Sequence, residues 1–150
     1  MDTQMEIIIG NEDFTRKLAT ALDGNSSTVK KQIFELLSEL CRYSSEGYKR
    51  SLGALQQYKE VKKCRYRFSL LVEELRNSPS QSYSVAVLDF INSIIASTDK
   101  LSDRVRIRNE FIGKYFFQYP GFFQMFNLFV TFLLTCLTNC LKLKNIEIGK

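Results

Sequence analysis

Few residues in this chain are of a type and spacing that could do covalent chemistry. Histidine is absent, so no Ser-His or Cys-His nucleophile pair can form. A zinc site would have to be built from cysteine and carboxylate alone. Cys41, Cys64, Cys136 and Cys140 include no C-x-x-C pair. Cys136 and Cys140 lie one helical turn apart in an apolar run, and Cys41 lies on an apolar face. Reduced, buried thiols are therefore expected. Glu73 and Glu74 are adjacent, which sends them to different helix positions and excludes a paired-carboxylate site. No glycine-rich phosphate loop occurs. The chain reads as non-enzymatic, with no catalytic residue, metal or cofactor expected.

What remains is chemistry of binding. Lys59, Lys62, Lys63, Arg65 and Arg67 cluster with Tyr58 and Tyr66 between them, a mixture that nucleic-acid binding uses. On a helix these side chains spread around the axis, and Glu60 dilutes them, so a solvated face is expected and no nucleic-acid partner. Arg104, Arg106 and Arg108 alternate and scatter in the same way, with Arg108 and Glu110 expected as a structural ion pair or a capping contact between repeats. The formal net charge of +5 fits a solvated surface and hints only weakly at an acidic partner.

More informative are two thin polar strips on apolar helices. The first is Glu35, Ser38, Glu39 and Arg42 (with Lys31 beside it), and the second is Asp89, Asn92, Ser93 and Ala96. A helix on a simple two-layer surface has a polar half. Helices packed on both flanks keep only a strip, and such strips suit the lining of a groove.

The elements carrying them follow from the pattern. Only two prolines and seven glycines in 150 residues leave long unbroken runs, which favour helix over a many-stranded fold. Residues 1–9 form a short terminal apolar segment stopped at Gly10. A helix is expected over 13–22, with Phe14, Leu18, Ala19 and Leu22 on one side. Another runs over 28–43, capped by Ser26 or Ser27. A long helical region over 47–76 carries an early stripe (Leu52, Leu55, Tyr58, Val61) and a later one (Tyr66, Leu70, Leu71, Leu75), with a bend near 62–65. Ser78-Pro79-Ser80-Gln81-Ser82 breaks the chain before the stretch 84–113. A last helix over 100–115 carries Leu101, Val105, Ile107, Phe111 and Ile112.

The strip-bearing helices are related. A shift of 54 residues places Ile33, Phe34, Leu36, Leu37, Leu40 and Cys41 on Val87, Leu88, Phe90, Ile91, Ile94 and Ile95. The same shift places Glu35, Ser38, Glu39 and Arg42 on Asp89, Asn92, Ser93 and Ala96. This is an internal repeat, and stacked helical repeats bury the apolar faces that each repeat alone leaves bare. The expected fold is all-α, a partial armadillo-like α-solenoid, with a divergent hydrophobic C-terminal helix.

KKQIFELLSELCRYSSEGY at 30–48, ALQQYKEVKKCRYRFSLLVEELRNS at 54–78, INSII at 91–95 and RNEFIG at 108–113 resemble the armadillo-like FH3, or diaphanous inhibitory, domain of diaphanous-related formins. The nearest look is to the inverted formin subgroup, over about residues 6–113. The resemblance implies a regulatory, cytoplasmic and cytoskeleton-associated module. Its concave groove would hold an amphipathic autoregulatory helix and so control actin filament assembly, with actin itself touched only indirectly. It also implies linkage to a Rho-family GTPase. The family position that faces the bound helix within INSII is usually alanine and here is Ser93. At the positions of Glu39 and Arg42 the family often has small or apolar residues. The main GTPase-binding segment, most of the first repeat and the actin-assembling domain are expected to be missing.

The expected organisation is a partial inhibitory domain over 1–115 and a divergent apolar tail over 116–150. Residues 116–141 carry no charge, and 122–141 are long enough to cross a hydrocarbon core of about 30 Å. Three readings of the tail stand open: an altered or truncated terminus, a helix capping the solenoid, and a membrane anchor. The alternatives to the groove module are accordingly a membrane-anchored adaptor and a formin fragment without independent activity.

Overall fold

A computed structural model describes residues 2–111. Among the described residues the chain is helical throughout its regular structure, with no strand. The helices are α1 (Asp2–Gly10), α2 (Glu12–Leu22), α3 (Ser27–Tyr43), α4 (Ser45–Lys62), α5 (Ser69–Arg76), α6 (Gln81–Ser97) and α7 (Leu101–Phe111). The chain divides into two compact units, residues 1–93 and 94–150, and the division passes through α6.

In the first unit, local chemistry sets the helix boundaries. Asn11 caps α2 by accepting from the Asp13 amide at 3.1 Å, and Glu12 and Asp13 put negative charge at the positive end of the helix dipole. Ser26 caps α3 through the Val29 amide. Ser44 ends α3 and caps α4, accepting from the Gly47 amide at 3.0 Å. Gly47 is required there: a Cβ would lie 2.1 Å from the Leu40 carbonyl oxygen. The Ser51 hydroxyl, one turn on, donates to the Leu37 carbonyl at 3.2 Å. α4 therefore runs in close backbone contact with α3.

The expected bend is a full break. Lys63 adopts φ 54°, with its amide on the Glu60 carbonyl and the Cys64 amide on the Lys59 carbonyl at 2.9 Å. These paired bonds form a Schellman motif, which normally recruits glycine. Here a lysine occupies the left-handed position. Of the early stripe Leu55 is buried as expected and Val61 is exposed, and Ser51 and Ala54 are buried in addition. α5 closes the unit with Leu70, Leu71 and Leu75. The terminal segment forms α1, packed on α2 and α4, and Arg50 donates to the Ile9 carbonyl at 2.8 Å.

α3 and α6 meet around Phe34, which is fully buried. Its ring stands edge-on to Tyr83 at 6.2 Å and tilted to Phe90 at 6.1 Å between centroids, geometries that add to area burial. Beside it, Lys30 of α3 meets Glu74 of α5 at 2.9 Å, with both side chains over four-fifths buried. The Tyr83 hydroxyl donates to the other Glu74 oxygen. Burial, then the Glu74 hydrogen bond, pushes the Tyr83 phenol well above its ordinary range.

In the second unit the Thr98 hydroxyl donates to the Ile94 carbonyl at 2.8 Å. Arg104 donates to the carbonyls of Thr98 and Asp99, tying the start of α7 to the end of α6. Ile107 and Phe111 are buried, whereas Leu101 and Val105, expected on the same apolar face, are exposed. Arg108 bonds the Asn109 side chain at 3.2 Å rather than Glu110, its expected partner, and Arg106 pairs with Asp103 at 3.2 Å. Ile112 lies outside the described residues.

Candidate groove wall on α3 and α6

The apolar positions that define the repeat are buried in both helices except Leu36, which is half-buried. The strips they leave differ. On α3, Glu35, Glu39 and Arg42 are exposed, while Ser38 is fully buried and donates its hydroxyl to the Phe34 carbonyl at 2.9 Å. On α6, Asp89 and Asn92 are half-buried and Ser93 is buried. Ala96, in the second unit, is exposed.

Arg42 joins the two strips. Its Nη1 donates to both carboxylate oxygens of Asp89 at 3.3 Å and to the Ser93 hydroxyl at 3.0 Å. Ser93 in turn donates to the Asp89 carbonyl at 2.8 Å. The structure thus brings Arg42, Asp89 and Ser93 together across the helix pair. Glu35 reaches Lys31 on its own helix at 3.8 Å. The arrangement places hydrogen-bond donors and acceptors of both helices side by side.

The basic cluster is broken up by the α4–α5 turn rather than spread along one helix. Lys62 pairs with Asp23 at 2.7 Å. Arg65 stacks over Tyr66 at 5.5 Å and Arg67 over Phe68 at 4.5 Å from the ring centroids. Cys41 is buried, and burial pushes its thiol from its ordinary value of 9.0 to about 11 despite the hydrogen bond from Ser51. Cys64 is a free thiol and half-buried; Cys136 and Cys140 lie outside the described residues. Among the described residues no cluster of ligating side chains could hold a metal ion, and no helix is long and apolar enough to cross a membrane. The stretch 122–141 lies outside them.

Sequence reasoning missed the Lys30–Glu74–Tyr83 group and the reach of Arg42 onto α6. Both join residues distant in sequence, and no local spacing marks them.

An all-α chain with an internally repeated inner helix is of the armadillo-like class, and the comparisons specify which kind. Residues 48–114, just under half of the chain, match the family model described as the Diaphanous FH3 Domain. Inverted formin-2 of Xenopus tropicalis is 51% identical over 109 residues, covering 73% of this chain and 8% of the relative. Inverted formin-2 of Xenopus laevis is 50% identical, covering 73% of this chain and 10% of the relative. Protein diaphanous homolog 2 of Homo sapiens is 33% identical over 109 residues, covering 72% of this chain and 10% of the relative. The chain therefore spans a tenth or less of the length of these relatives. No solved structure matches it.

Proposed function

We propose that this FH3-type segment, residues 1–115, is a non-enzymatic regulatory module whose α3–α6 wall receives an amphipathic autoregulatory helix. Its role is to restrain actin filament assembly in the cytoplasm, with a Rho-family GTPase acting on the same module. The observation that carries the reading is the contact of Arg42 with Ser93 and Asp89: it joins the two repeat-related strips, as one shared wall requires. Helix-in-groove recognition works through apolar anchors at three- and four-residue spacing against such a surface.

The test is titration of a fluorescent autoregulatory-helix peptide against wild type and Ser93→Asp, with circular dichroism confirming that both fold. The variant should bind at least about tenfold more weakly, because a carboxylate placed beside Asp89 at a buried position costs on the order of several kcal/mol. Equal affinities would remove Ser93 from the binding surface.

A further inference from the structure

We propose that Arg42 is a specificity-determining residue of this wall: it disfavours a partner helix that lays an apolar side chain over Ser93, and favours one that brings a neutral carbonyl acceptor, glutamine or asparagine, to that point. The inference rests on the groove reading above. Ser93 is only 3% exposed although it belongs to a polar strip, and the Arg42 guanidinium bonds its hydroxyl at 3.0 Å.

The latch is held by one nitrogen. Nη1 makes the contacts to Ser93 and to both Asp89 oxygens. Among the described residues, Nη2 and Nε make no hydrogen bond, so three of the guanidinium's five N–H donors point elsewhere. The Arg42 side chain is 51% exposed, which leaves those donors open to solvent in the free protein.

An apolar side chain arriving over Ser93 would strip that water and supply nothing in return, and a dehydrated, unpaired cation is costly. A carbonyl oxygen would take the unused donors and leave Arg42 on Asp89. A carboxylate fits less well, because Glu39 lies exposed on the same strip and would repel it.

The experiment uses the autoregulatory-helix peptide and a set of single glutamine variants, one at each of its apolar anchors. Each is titrated by fluorescence anisotropy against wild type, Arg42→Ala and Arg42→Gln. Both variants should bind the parent peptide about 1.4- to fivefold more tightly than wild type does, the range of one exposed charged contact. One glutamine peptide should match or exceed the parent on wild type and lose that standing on both variants. Unchanged or weaker binding of the parent by the variants would overturn the inference while leaving the groove in place. So would an equal loss for every glutamine peptide on all proteins. Failure of every peptide to bind any of the proteins would overturn the groove reading, and this inference with it.

Discussion

α3 and α6 carry the same apolar pattern 54 residues apart, yet they present it differently. α3 exposes charge at Glu35, Glu39 and Arg42, with Ser38 sunk beneath. α6 buries Ser93, which the shift aligns with Glu39, and leaves Asp89 and Asn92 half-covered. The apolar pattern fixes which face goes inward. The neighbours decide how far the remaining strip is covered. α4 approaches α3 closely enough to require Gly47, and Arg42 then reaches from α3 over α6. The repeat is thus symmetrical in its core and asymmetrical at its rim.

The core half of that comparison can be broken first. Phe34 aligns with Leu88 under the shift, but Phe34 also contacts Tyr83 and Phe90. Phe34→Ala should cost about 3–5 kcal/mol in urea denaturation and should exceed Leu88→Ala measured alongside. Equal costs would mean that Phe34 is no keystone of the α3–α6 contact.

Cys41 sharpens the burial of α3. With its thiol raised from 9.0 to about 11, the thiolate fraction at pH 8 is about a hundredfold lower than for an ordinary cysteine. Iodoacetamide at pH 8 should modify half-buried Cys64 well before Cys41, as mass spectrometry would read. The same shift has a stability consequence. The neutral thiol is favoured in the folded state, so the contribution is complete below pH 9 and is lost as pH rises toward 11. Wild type should lose more stability across that window than Cys41→Ala.

The Lys30–Glu74–Tyr83 group ties α3, α5 and α6 behind the wall. Glu74→Gln should cost about 2 kcal/mol, because it leaves a largely buried lysine without its counter-charge. An unchanged denaturation midpoint would show the group to be dispensable. The smallest effect belongs to the rim. Arg42 and Asp89 are both substantially exposed, so a double-mutant cycle on stability should return a coupling of about 0.2–1 kcal/mol. A larger value would mark Arg42 as a fixed strut rather than a displaceable latch.

Much of the fold was legible in the sequence for identifiable reasons. Ser26 and Ser44 are polar caps at the ends of apolar periodicity, and α3 starts and ends within a residue of its expected bounds. The bend over 62–65 was visible as a change of stripe. Its geometry was not, because lysine rather than glycine takes the left-handed position at Lys63. Leu101 and Val105 were misread because α7 buries only a narrow face at Ile107 and Phe111. The strips themselves were legible as breaks in an apolar pattern. Which of their members would be covered was not, since Ser93 is closed over by a side chain from a helix half the described chain away, and periodicity carries no information about such reach.

The claim that the α3 and α6 strips form one recognition surface is tested most directly by amide chemical-shift mapping of the labelled protein during titration with the autoregulatory-helix peptide. The largest shifts should fall together on residues 35–42 and 89–93, rising with a single saturation curve. Saturable shifts confined to one of the two helices, or clustered on α1 and α2 instead, would contradict a shared wall.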